Sequence, residues 1–261
     1  MRHTLRYLAF LVRTNLRTAG ADRWSLFWSF LFMTVNNLAW FMIWVLLFGA
    51  VGSVRGWGLA DVAHMAGIVT FAYGLALVLF GGAWRMDRLI LDGTLDIYLT
   101  QPKPVLPGVM LSQPDMESLG DMIAGAVILV LFGQAGWQEA GLALLLGILS
   151  AFIILGITIM LNSVVFWTQD RSGIMEQILD TFVQISTTPI QGLPLAIKVF
   201  LFTVLPVGFI AFLPADILRE FSWWKLGVLA AAAVMSCTLA AWIFHRGLRR
   251  YTSGSRIVDM R

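Results

Sequence analysis

The residues in this chain best equipped for chemistry are carboxylates, amides and hydroxyls set into an apolar stretch between Ile174 and Gln191. A helix advances about 100° per residue, which brings Glu176, Gln177, Asp180, Thr181, Gln184, Thr187, Thr188 and Gln191 into one arc of about 140°. Ile174, Leu179, Phe182, Val183, Ile185 and Ile190 take the remaining face, and only Ser186 falls out of place. Such a stripe can line a path for a polar or amphipathic solute, or seal against a polar partner helix. It has no place against lipid, because an intramembrane acid costs about 2.5–3.5 kcal/mol even on a lenient insertion scale. The blander reading leaves Glu176 and Asp180 at the cytosolic interface and only the amides and hydroxyls inside the membrane.

Bond-making chemistry has little to work with. The histidines, His3, His64 and His245, are far apart and lack ligand spacing, so no metal site is expected. Cys237 is the single cysteine and sits in an apolar run, where it reads as a small core residue. No GxxxxGK[ST] loop, HExxH or GxSxG motif is present, so the chain is expected to be no enzyme and to hold no nucleotide or other cofactor in that manner.

The elements that must position the stripe are membrane spans. Hydrophobic residues make up 59% of the chain and charged residues 13%, against about 25% charged in an ordinary soluble domain. A helical span needs about 20 apolar residues. Six stretches qualify: Leu26–Gly49, Met65–Trp84, Met116–Phe132, Ala140–Trp167, Ile174–Gln191 and Leu226–Phe244. The first is too long for a signal-peptide core and reads as a retained span. The expected fold is therefore all-α and integral to the membrane, with six transmembrane helices.

Charge orients them. Arg supplies 15 of the 18 basic residues, and these lie beside span ends, which points to lipid headgroups and away from nucleic acid. Arg2, Arg6, Arg13, Arg17 and Arg23 precede the first span, and Arg246, Arg249, Arg250, Arg256 and Arg261 follow the last. Basic flanks favour the cytoplasmic side, so both termini belong there and the number of full spans is even. The apolar stretch 193–213, broken by Pro194, Pro206 and Gly208, is accordingly read as an outer re-entrant hairpin. Arg2, Arg6, Arg13 and Arg17 share an arc of about 60° beside Leu5, Leu8, Val12 and Leu16, the pattern of an interfacial helix anchored to headgroups.

The chain divides into an interfacial helix (1–25), spans one and two (26–84), a cytosolic segment (85–113), spans three to five (114–191), the outer hairpin (192–223), span six (224–245) and a basic tail (246–261). In the cytosolic segment, Gly93 is placed to stop one short helix and Thr94 to cap the next. An amphipathic helix there offers a handle to a cytosolic partner. Three further intramembrane signals read as structural. Asn36 and Asn37 suit interhelical hydrogen bonds, Asp121 an interfacial position paired with an Arg, and the ridge Ala232, Ser236, Ala240 close helix packing.

Four motifs, in their order and placement, carry a family resemblance over nearly the whole chain. They are the N-terminal interfacial helix, Asp92-Gly93-Thr94-Leu95-Asp96-Ile97-Tyr98-Leu99 closing on Gln101-Pro102, Leu205-Pro206-Val207-Gly208-Phe209 running to Leu213-Pro214-Ala215, and Gly247-Leu248-Arg249-Arg250-Tyr251-Thr252-Ser253-Gly254-Ser255. With them the chain resembles the membrane permeases of type-2 ABC exporters, in particular a bacterial branch in which two different six-span permeases share a pair of ATPases. The resemblance implies that Arg85, Asp87, Arg88, Asp92, Gly93, Asp96 and Tyr98 belong to a coupling segment seated on a cytosolic ABC ATPase dimer. It implies that ATP and Mg are bound by that partner, that a second permease, different or identical, faces the fifth span, and that the protein sits in a bacterial plasma membrane. A gradient-driven transporter would instead need an internal repeat and mid-membrane acids, and a non-transport scaffold would tolerate loss of the stripe.

Overall fold

The computed structural model describes residues 23–54, 56–134, 136–169, 173–187, 201–202 and 206–252. Among these the chain is helical, and its one β-type pairing is an isolated bridge between Val54 and Trp57. Four helices are long and apolar enough to cross a membrane. They are α1 (Arg23–Val51), α2 (Leu59–Phe80), α7 (Trp137–Ser163) and α11 (Trp223–Leu248). Between them lie α3 (Met86–Leu91), α4 (Asp96–Leu99), α5 (Val105–Met110), α6 (Leu119–Leu131), α8 (Val165–Thr168), α9 (Ile174–Ser186) and α10 (Leu213–Arg219).

Local chemistry sets the helix starts, and several differ from the sequence expectation. α2 begins at Leu59, six residues before Met65, because the Asp61 carboxylate accepts the Gly58 N–H at 2.8 Å and satisfies a donor of the first turn. Glu139 does the same for α7, accepting the Gly136 N–H at 3.1 Å. α6 starts at Leu119 rather than Met116, since Asp115 folds the entry into a turn. Its carboxylate accepts the Glu117 N–H at 3.2 Å and the Ser118 hydroxyl at 3.0 Å.

Close backbone approach holds the bundle. α2 packs along α6, and α7 along α11, as its two most extensive helix pairs. A Cβ on Gly125 of α6 would meet the Gly67 carbonyl oxygen of α2 at 2.6 Å, so a larger residue cannot enter without parting these helices. The small-residue ridge of α11 behaves as expected. Ser236 and Ala240 are buried, the Ser236 hydroxyl donates to the Ile153 carbonyl at 3.3 Å, and the ridge leaves no room for a side chain at Gly156. Cys237, beside it, is half-buried rather than a core residue.

α1 is held differently. It touches α6, where the Thr34 hydroxyl lies 3.1 Å from the Gly120 carbonyl. Most of its side chains are exposed or half-buried on this chain, which leaves that surface to lipid or to another subunit. Exposed tryptophans gather at helix starts, Trp24 and Trp28 on α1 and Trp223 and Trp224 on α11, as at membrane–water boundaries.

Of the stretch expected as an outer hairpin, residues 192–200 and 203–205 lie outside the described residues. The part that follows is a single π-helical turn, Gly208–Phe212, running into α10. Phe212 stacks on Trp57 of the α1–α2 loop, with centroids 5.5 Å apart and planes 12° apart.

Candidate functional site

Two regions contain the residues singled out in the sequence. The first is α9. Its apolar face is seated against the core through buried Leu179 and half-buried Phe182. Ser186, out of register with the polar stripe, is buried and donates its hydroxyl to the Phe182 carbonyl at 2.7 Å, a bond that removes the need for an external partner. The opposite face carries Gln177, Asp180, Thr181 and Gln184, all exposed on this chain. Thr181 and Thr187 turn their hydroxyl hydrogens back onto the helix, to the Gln177 carbonyl at 2.7 Å and the Gln184 carbonyl at 2.9 Å. The Glu176 side chain, Thr188 and Gln191 lie outside the described residues.

The end of this stripe borders a cleft of about 450 Å³. α1 contributes Asn37, Trp40, Phe41, Ile43 and Trp44, α2 Ala66 and Thr70, α6 Ile128, and α9 Val183, Gln184 and Thr187. Among the described residues the lining is aromatic and apolar, with four polar side chains and no charged one. Behind it, Asn37 donates to the Asp121 carboxylate at 2.6 Å and to the Met33 carbonyl at 2.9 Å. Asp121 is 4% exposed and Oδ2 lacks a hydrogen-bond partner within the chain. The expectation of an interfacial Asp121 paired with an Arg is thus corrected. The carboxylate is interior, and an amide is the partner because Asn37 is the donor that α1 presents at its level. Asn36, one residue on, points outward and is exposed.

The second region is the segment 85–113, expected to be cytosolic. Its anchors are apolar residues that sequence reasoning passed over. Met86, Ile90 and Leu95 are buried against Ile159 of α7, Phe166 of α8 and Phe244 of α11. The i, i+4 spacing of Met86 and Ile90 was the available signal; the partners were not visible. α3 ends at Leu91, and Gly93 turns the chain with φ +72°, a conformation costly to other residues. Thr94 does not cap α4 as expected. Its hydroxyl reaches back to the Leu89 carbonyl at 3.4 Å, because the tight turn places it over the end of α3.

Around these anchors, Arg85, Arg88 and Asp92 are exposed, with Arg85 donating to the Gln113 side-chain oxygen at 2.9 Å. Exposed apolar side chains, Ile97 at 60% and Leu99 at 41%, project beside them. Asp87, Asp96 and Tyr98 are half-buried. The Tyr251 hydroxyl is buried with no hydrogen-bond partner among the described residues, and burial first and the nearby Asp96 carboxylate second push it up to about 12. Tyr251 also meets the Phe166 ring edge-on at 6.2 Å. Tyr251 packs at the edge of the cluster that holds Met86, Ile90 and Leu95, a contact without any sequence signal. Arg2, Arg6, Arg13 and Arg17 lie outside the described residues.

A bundle with four helices long and apolar enough to cross a membrane defines a multi-pass membrane protein. The family described as ABC-2 family transporter protein matches residues 31–255. The chain belongs to that family, and is a membrane permease component of an ABC transporter, the kind of subunit that works with an ABC ATPase. A search of curated proteins returned no match.

Proposed function

We propose that this chain is one half of the membrane core of an ATP-driven exporter, crossing a bacterial plasma membrane six times with both termini in the cytoplasm. α6 and α9 are then the third and fifth crossings, extended by the residues that flank them, and the stretch 192–223 closes the outer end as a hairpin. The stripe of α9 lines the solute path or the seam with a second permease. Arg85, Arg88, Asp92, Ile97 and Leu99 form the surface that docks on a cytosolic ATPase dimer, which binds ATP and Mg. Closure of that dimer pushes the cytosolic segment, and the buried Met86, Ile90 and Leu95 pass the push to the inner ends of α7 and α11. The cargo is amphipathic or lipophilic.

The observation that carries this reading is Asp180. It is an exposed carboxylate flanked by exposed Gln177, Thr181 and Gln184, on a helix whose other face is packed into an apolar bundle. Lipid is a poor neighbour for that group, and water, solute or a polar subunit face is a good one. Replacing Asp180 and Gln184 together by Leu tests it. Complexes should still assemble, read by native mass spectrometry as two permease chains with two P-loop ATPases, while ATP-dependent export from inverted vesicles is lost. Undiminished export overturns the path assignment, and a chain that extracts alone under several detergents overturns the ATPase partnership in this form.

A further inference from the structure

We infer that the end of α11 carrying Trp242, Arg246 and Arg249 holds one phospholipid of net negative charge, with its phosphate on the arginines and an acyl chain along the apolar lane beside them. This goes beyond the exporter reading and needs only that α11 crosses the membrane.

Helix spacing brings the parts together. At 100° per residue, Met235, Leu239, Trp242, Arg246 and Arg249 fall within an arc of about 80°. All five are exposed, while Ala240, Phe244 and Gly247 on the far side are buried. The arc is therefore an outward lane, apolar along Met235, Leu239 and Trp242 and basic at its end.

Depth matches a lipid. Trp223 and Trp224 open the helix and are 78% and 80% exposed, and Trp242 is 58% exposed. From Trp223 to Trp242 the helix rises about 28 Å, close to the hydrocarbon thickness of about 30 Å. Tryptophan favours both boundaries of that layer. Arg246 then stands about 6 Å beyond Trp242, in the headgroup layer, with Arg249 nearly one turn further.

Charge selects the headgroup. At the start of α11, Lys225 pairs with Asp216 at 2.8 Å, and Arg219 lies beside Glu220 in the chain, so cations are matched by acids. At the other end, Arg246, Arg249 and Arg250 are exposed and make no ion pair or side-chain hydrogen bond with another described residue. The Arg246 guanidinium lies over the Trp242 ring, 5.2 Å from its centroid. That contact holds the group beside the lane and uses no oxygen acceptor, so its N–H donors remain available to an oxyanion. A phosphodiester without an ammonium partner supplies both the acceptors and the missing charge. A zwitterionic lipid would bring its own cation to the same place.

The test uses the full chain with its associated subunits in phosphatidylcholine nanodiscs. Two probe lipids share one diazirine-bearing acyl tail, one with a phosphatidylglycerol and one with a phosphatidylcholine headgroup. Adducts are mapped by mass spectrometry to residues 235–242 and, as an internal reference, to residues 223–228 at the other end of the same helix. The ratio of phosphatidylglycerol to phosphatidylcholine labelling should be about 5- to 30-fold higher at 235–242 than at the reference, the range for one or two arginines at about fivefold each. Arg246→Gln with Arg249→Gln, both at exposed positions, should bring the two ratios together. Equal ratios at the two ends of the wild-type helix overturn the inference, whatever the variant does. Labelling of the reference with no adduct of either probe at 235–242 also overturns it, and assigns the lane to a protein subunit. A wild-type preference that survives the double substitution overturns the assignment to these arginines.

Discussion

The contact between Asn37 and Asp121 provides a quantitative check on how α1 and α6 are joined. At 2.6 Å it is shorter than the usual N–H···O range of about 2.7–3.2 Å, as expected when the acceptor carries charge. Asn37→Leu removes the donor at nearly constant volume. A hydrogen bond to a charged group contributes about 1.5–3 kcal/mol, and the loss is aggravated here because Oδ2 of Asp121 already lacks a partner. Asp121→Asn keeps the shape and removes the charge, leaving a neutral bond of about 0.5–1.5 kcal/mol. Asn37→Leu should therefore cost about 1 kcal/mol less in the Asp121→Asn background than in the wild type, the central difference of those ranges. The bond from Asn37 to Met33 is lost in both backgrounds and cancels in the cycle. Equilibrium unfolding in mixed micelles, followed by tryptophan fluorescence, measures all four proteins. Additivity within about 0.5 kcal/mol would refute the claim that this pair joins α1 to α6 as a charge-assisted contact.

Three further outcomes are expected. Leu95→Ala, at a position fully buried in the cytosolic cluster, should cost about 2–5 kcal/mol locally and speed amide exchange over residues 86–110, while protection of α7 and α11 stays near wild type. Asp92→Arg with Ile97→Asp should separate ATP hydrolysis from transport without altering that exchange, because both side chains are exposed; Asp96→Arg is a poorer choice, since Asp96 is half-buried. The Tyr251 hydroxyl is raised from 10.0 to about 12, chiefly by burial, so it should stay neutral in the folded protein through about pH 10 and ionise only as pH rises toward 12, with the stability it contributes lost over that range, a change that ultraviolet difference titration against Tyr251→Phe will register.

Much of the architecture follows from local pattern. Long apolar runs need no tertiary information to become spans, because every backbone group in lipid must bond within its own helix. The periodicity of the α9 stripe likewise depends on helix geometry alone, and small residues at 232, 236 and 240 announce close packing whatever the neighbour. Helix starts were less legible, since carboxylates at Asp61 and Asp115 shift them by a few residues through short-range bonds that hydropathy does not register.

Which residues meet across the bundle was decided by packing. Asn37 and Asp121 are 84 positions apart, and no spacing rule joins them. Tyr251 meets Phe166 only because α11 returns its end to the place where α7 passes into α8. The cleft exists because α1 is held mainly along α6, leaving space beside α9 that four separate helices line. A sequence specifies the faces of its helices directly, through side-chain period. The partner of each face depends on crossing angles and close approaches, which are properties of the assembled bundle.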